Sequence, residues 1–161
     1  MNVNIRPLQL DDAEFLCSIF KDNTEYYHIF FDSEACIEAW QERVNRFLSQ
    51  TDISHRIITE NNVPVGWFSY MKADQNSFEI GILVLKPAYL GHGYGAAALR
   101  WIIDKARSEN CNCLFLNVNQ SNTRAISFYQ HYGFEICGEE IVPQCNDAEN
   151  LPQYKMRLQF K

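Results

Sequence analysis

Residues 82–95 constrain this chain more than any other stretch. They read Ile82-Leu83-Val84-Leu85-Lys86-Pro87-Ala88-Tyr89-Leu90-Gly91-His92-Gly93-Tyr94-Gly95. An apolar strand runs into a proline-bearing turn, then into glycines at alternate positions, and a helical pattern follows at once. Glycine permits φ > 0 and lets a ligand approach the backbone closely. Successive N–H groups then face one concavity at a helix N-terminus, and such a concavity attracts phosphate oxygens. The stretch therefore reads as strand, turn and helix, and it points to a phosphorylated ligand.

Two phosphate loops do not fit. A P-loop needs Gly-x-x-x-x-Gly-Lys followed by Ser or Thr, and no such run occurs. A dinucleotide loop needs Gly-x-Gly-x-x-Gly with an acidic residue about 20 positions on. Here the spacing is Gly-x-Gly-x-Gly, and the region of the acidic position holds Asn110, Cys111 and Asn112.

The rest of the pattern supports an α+β domain. Val3 to Arg6 reads as a first strand, and Asp11 offers a helix cap with Glu14 three residues on. Phe15, Leu16, Ile19 and Phe20 follow at helical spacing. Ser33 can cap a second helix striped by Ile37, Trp40, Val44, Phe47 and Leu48. Strands at 54–60 and 64–72 flank a hairpin turn around Asn61-Asn62-Val63-Pro64. On the next strand Phe78, Ile80, Ile82 and Val84 alternate with Glu79, Gly81, Leu83 and Leu85. A helix burying Ala98, Leu99, Trp101, Ile102 and Ala106 follows the glycines, then a short strand from Cys113 to Val118. Asn122 caps a helix that ends at Gly133. Strands near 134–142 and 153–159 close the chain around a polar loop at 143–152. The expected order is β-α-α-β-β-β-α-β-α-β-β, with a mixed sheet.

At 161 residues one domain spanning 1–161 is expected. A chain of this size buries roughly 68–70% of its unfolded surface, enough for a core. The net charge of −6 disfavours a nucleic-acid partner and mildly favours cationic acceptors by steering. No apolar run reaches the roughly 18 residues of a membrane span, and no signal peptide is read at the N-terminus. The six cysteines form no Cys-x-x-Cys pair. They read as small buried hydrophobes in a reducing cytosol, so no metal and a cytoplasmic location are expected.

The glycine loop resembles the acetyl-CoA loop of the GNAT-type N-acetyltransferases. A second segment carries the resemblance further. Asn122-Thr123-Arg124-Ala125-Ile126-Ser127-Phe128-Tyr129-Gln130-His131-Tyr132-Gly133-Phe134 is similar to that superfamily's Asn-x-x-Ala…Phe-Tyr-x-x-x-Gly-Phe segment. The two segments occur in the right order, linked by a helix and a strand. The resemblance implies the superfamily fold: a mixed, mostly antiparallel central sheet flanked by helices. It also implies acetyl-CoA as the acyl donor and transfer to a primary amine of a small molecule or protein. Homodimers are common among relatives. A non-catalytic acyl-CoA sensor, or transfer of another acyl group or to a hydroxyl, are the alternatives. One position departs from the family pattern. Leu90 stands where the loop usually has Gln or Arg, so phosphate contact falls to backbone N–H groups.

The same resemblance assigns roles to residues. The pantetheine arm would lie along Ile82, Leu83 and Val84. The pyrophosphate would sit on Leu90, Gly91, His92, Gly93, Tyr94 and Gly95. Asn122 matches a cofactor-contacting Asn and equally suits a helix cap. Tyr129 matches a tyrosine that protonates the departing thiolate, and a phenol with a pKa of about 10 is a suitable acid for that step. Glu79 matches the catalytic Glu of a histone-acetylating branch. Other branches carry a Glu where this chain has Asn117, which cannot accept a proton but can orient a water or the acceptor. The acceptor pocket is expected from the variable segment at 22–32, where Glu25, Tyr26 and Tyr27 combine a carboxylate with aromatic rings.

Overall fold

A computed structural model describes residues 1–22, 36–143 and 150–160. The chain runs β1 (Val3–Pro7), a 3₁₀ turn (Leu10–Asp12), α1 (Ala13–Asp22) and α2 (Ile37–Ser49). Next come β2 (Ile53–Glu60), β3 (Val63–Lys72), β4 (Ser77–Leu85), a second 3₁₀ turn (Pro87–Tyr89) and α3 (Tyr94–Ser108). It ends with β5 (Cys113–Asn119), α4 (Thr123–His131), β6 (Glu135–Pro143) and β7 (Asn150–Gln159). The described strands form one sheet in the order β1-β2-β3-β4-β5-β7-β6. Every pairing is antiparallel except β4 with β5. The α+β order and mixed sheet read from the sequence are thus observed.

Each face of the sheet carries its own core because side chains alternate along a strand. On β2, Ile57 joins one cluster and Ile58 the other; on β3, Trp67 and Phe68 do likewise. The first face is covered by α1 and α2. Ala13, Leu16, Cys17 and Phe20 recur at helical spacing and are buried there with Trp40 and Val44. The second face is covered by α3 and α4, through Ala98, Leu99, Ile102, Ala106 and Tyr129. The β2–β3 hairpin turns on Asn61 (φ 48°) and Asn62 (φ 69°), the left-handed pair that a two-residue hairpin needs.

Three local expectations change. Asp12, rather than Asp11, organises the first helical entry: its carboxylate accepts the Gln9 N–H at 2.8 Å and takes both Arg6 terminal nitrogens at 2.7 and 2.8 Å. Ile37 and Leu48 fall off the buried stripe of α2 and are exposed, and Ser33 lies outside the described residues. The strict alternation on β4 fails because Gly81 is an extra residue. Ile80 pairs with Tyr70 and Ile82 with Ser69, so Gly81 has no opposite number. An extra residue reverses the parity downstream of it. Leu83 and Leu85 therefore share a face with Phe78 and Ile80, while Ile82 and Val84 turn to the α1–α2 face.

Among the cysteines, Cys17, Cys111 and Cys113 are buried as expected, and burial pushes their thiols up. Cys36 and Cys137 are exposed, and Cys145 is outside the described residues. No described helix is long and apolar enough to cross a membrane.

Candidate active site

The glycine loop leaves β4 through a short anchored turn. Lys86 N–H donates to Val65 O at 2.9 Å, and the 3₁₀ turn closes with Tyr89 N to Lys86 O at 2.9 Å and Leu90 N to Pro87 O at 3.2 Å. Gly91 (φ 78°) and Gly93 (φ 91°) then take left-handed conformations that a side chain would strain. Gly93 is the N-cap of α3, and the first helical bond runs from Ala97 N to its carbonyl at 3.0 Å. The N–H groups of Tyr94, Gly95 and Ala96 are therefore left over by the helix, at the positive end of its dipole. This concavity fits a phosphate. A Cβ on Gly91 would lie 3.9 Å from an Arg124 guanidinium nitrogen, so α4 brings a cation to the loop. A Cβ on Gly95 would meet the Phe128 ring at 3.4 Å, which keeps α3 close against α4.

The loop's side chains divide between two environments. His92 is exposed. Leu90 is half-buried and packs against the core. Tyr94 is buried, its ring edge-on to Tyr89 at 5.5 Å. Its hydroxyl donates to the Glu60 carboxylate, which holds the phenol up at about 12. Tyr94 thus braces the loop from beneath.

Beside the loop the sheet opens. β4 and β5 pair only over residues 77–80 against 113–116. β4 then continues along β3 as far as the Leu85–Gly66 pair, and β5 continues along β7 to Asn119–Gln153. The two strands part, and a cavity of about 250 Å³ lies between residues 79–83 and 116–119. Its remaining lining is Asn122, Ala125 and Tyr129 of the α4 segment and Gln153 of β7. An extended arm can lie here against strand backbone that has lost its partner. A shallower depression of about 380 Å³ at the other end of β4 and β5, lined by Asp74, Asn76 and Arg157 among others, is far along the strands from the glycine loop.

The cavity brings together part of the site expected from the sequence. Ile82, Leu83, Glu79, Asn117, Asn122 and Tyr129 all line it. Val84 does not; it is buried in the α1–α2 core. Glu79 and Tyr129 are the titratable groups of the lining. Glu79 is half-buried and, lying before the bulge, shares its face with Ile82. Tyr129 is buried between the rings of Phe128 at 5.2 Å and Phe134 at 5.4 Å. Its carbonyl also accepts the N–H of Phe134 at 3.0 Å, which ends the helix and fixes the ring's height. Asn122 caps α4, its Oδ1 accepting from Ala125 N at 3.2 Å, and lines the cavity as well. Glu25, Tyr26 and Tyr27 lie outside the described residues.

Three contributors escape the sequence reading. Gln153 reaches the cavity from β7 and donates to Asn119 Oδ1 at 3.1 Å. No motif marks either amide. Arg124 was visible only as an unassigned letter between Asn122 and Ala125.

Unzipped strands, a glycine-lined helix start and a tyrosine on the following helix meet at this one cleft. The pattern of the acetyltransferase (GNAT) family matches residues 13–134, and the chain belongs to that family. It is an acetyl-CoA-dependent N-acetyltransferase. The chain is 27% identical to the peptidyl-lysine N-acetyltransferase YjaB of Salmonella typhimurium, over 88% of this chain and 90% of that one. Its fold is similar to that of a Vibrio cholerae spermidine N-acetyltransferase solved with CoA and spermine, at a TM-score of 0.80 and 15% identity, over 98% and 95% of the two chains. It is also similar to a Thermus thermophilus acetyltransferase, at a TM-score of 0.77 and 17% identity, over 98% of each.

Proposed function

We propose that this chain moves the acetyl group of acetyl-CoA onto an aliphatic primary amine, a protein lysine in the first instance. The observation that carries the reading is the cavity itself: it opens beside the phosphate-fitting loop, and Glu79 and Tyr129 are its titratable groups. The lysine preference rests on the relative that acts on peptidyl-lysine and matches over most of both chains. The net charge of −6 suits a cationic acceptor.

In this reading the chain has three tasks. Backbone at residues 81–83 and the loop N–H groups hold the donor, with Arg124 near its phosphates. That fixes the reacting carbon and removes the entropy of encounter. Glu79 takes the proton of the acceptor ammonium, directly or through one water, because only the free amine attacks. Acetyl-CoA supplies the thioester carbonyl. As the N–C bond forms and the C–S bond breaks, Tyr129 passes its proton to the departing sulfur, and the proton released by the new amide nitrogen restores the site through solvent. Asn117, Asn119 and Gln153 form a row of amides opposite Glu79, able to orient a water without competing for protons.

The test is CoA release with a lysine peptide and a spermidine control across pH. Tyr129→Phe should lower turnover by about 10²–10⁴-fold while keeping CoA affinity. Glu79→Gln should slow transfer most at low pH, where the amine is protonated, and less as pH rises. Superimposable pH–rate curves for wild type and Glu79→Gln would remove Glu79 from the mechanism. An equal rate in Tyr129→Phe would reduce that residue to a core aromatic.

A further inference from the structure

Ser69 lies on β3, outside the cavity, yet the backbone of the cavity wall is tied to it. Its hydroxyl accepts the Ile82 N–H at 3.2 Å. Ile82 is the first residue after the bulge, and the register breaks between Ser69 and Tyr70. A second observation is steric. A Cβ on Gly81 would lie 2.6 Å from Ser69 Oγ, far inside contact distance, whereas its next neighbours, Ser69 Cβ and Ser69 O, would be at 3.8 and 3.9 Å. A side chain at 81 would therefore push the hydroxyl off this position. Ser69 is buried, at 6% exposure, so the bond is partly shielded from water.

We infer that Ser69 is a positioning residue that holds the β4 bulge, and through it the strand on which the cofactor lies. The inference rests on the proposed cofactor site at residues 81–83. A bulge leaves one residue without a ladder partner. Here a side-chain oxygen takes the N–H that the interrupted ladder would strand, and a buried N–H without an acceptor is costly. Without that oxygen, β4 regains a bonded register by absorbing Gly81 into the ladder. A slip of one residue turns side chains to the other face, so Glu79 and the 81–82 backbone would both lose their aim. Ser69 and Gly81 act as one device: the hydroxyl holds the bulge, and the missing Cβ admits the hydroxyl.

The test is CoA binding by calorimetry on folded variants, with amide exchange at Ile82 followed in the free protein. Ser69→Ala should weaken CoA by about tenfold, the scale of one lost buried hydrogen bond, and should speed exchange at Ile82. Ser69→Cys, similar in size but a weak acceptor, should do the same and serves if the alanine variant does not fold. Ser69→Thr, which keeps the hydroxyl, should recover most of the affinity. Gly81→Ala should weaken CoA in the wild-type background and add little in the Ser69→Ala background. A purely structural serine would lower the melting point and leave CoA affinity and its rescue by Thr untouched; that result overturns the inference, as does an equal Gly81→Ala loss in both backgrounds. Gly93→Asp separates the two levels. If it abolishes CoA binding while Ser69→Ala changes nothing, the Ser69 role fails alone. If Gly93→Asp also binds normally, the proposed cofactor site is the part that fails.

Discussion

His55 sits in a stack of rings, with Phe47 on one side at 4.4 Å and Trp67 at 5.7 Å, both nearly parallel to it. Its Nε2 is 3.4 Å from Gln50 Oε1, and its Nδ1 is buried with no partner among the described residues. Charging this imidazole would place an unsatisfied N–H and a positive charge between aromatic rings. Burial accordingly lowers its pKa from 6.5 to about 4. Above pH 6.5 the ring is neutral in both folded and unfolded chains. As pH falls below that, the unfolded chain takes up a proton that the folded one refuses, so stability declines until the folded ring titrates near 4. The span from 6.5 to about 4 corresponds to roughly 3 kcal/mol, and partial solvent contact brings the expected loss to about 2 kcal/mol. Urea denaturation at intervals from pH 7.5 to 4 measures it, against His55→Phe, which keeps the stack and cannot titrate. The wild type should lose about 2 kcal/mol more than the variant over that window. Parallel stability curves would refute the argument, because they would mean that His55 charges without penalty in the folded state.

Leu90→Gln should cost about 1 kcal/mol of stability and should not tighten CoA binding, because the side chain packs on the core rather than on the loop; tighter binding by calorimetry would show that it turns outward. Gly66→Ala should destabilise by about 1–3 kcal/mol or more, since the added carbon would lie 2.4 Å from Leu85 Cδ2 and 2.9 Å from Val84 O; the urea midpoint reads this directly. Asp12→Ala should cost about 2–3 kcal/mol, because it strands the Gln9 N–H and removes the Arg6 pair in which the carboxylate is buried and the guanidinium half-exposed.

The loop at 90–95 was legible because its demand is on the backbone. Left-handed turns at Gly91 and Gly93 require residues without a Cβ, and that requirement is written in the letters themselves. The α4 segment was legible for a similar reason, since Asn122 caps, Tyr129 packs and Gly133 (φ 93°) terminates at fixed spacings. Gly81 was not legible. Inside an apolar strand it reads as one more alternating position, and the hydroxyl that bonds beside the bulge is on a different strand. Leu90 misled in the opposite direction: as a letter it is a lost phosphate contact, in the fold it is a half-buried side chain packed against the core. Gln153 and Asn119 meet only because β7 is inserted between β5 and β6. Such pairings across the sheet have no local signature.

The short parallel ladder between β4 and β5 also has a mechanical meaning. Among the described residues it is the strand-to-strand seam between one half, β1 to β4, and the other, β5 to β7. Past residues 80 and 116 no ladder joins the halves, and the helices on the second face pack across them. An arm lying in the cleft would bond to both lips at once and act as a splint, stiffening the sheet in proportion to occupancy. Amide protons at 81–83 and 117–119 should slow their exchange together when CoA enters, because one molecule closes both sides of the same gap.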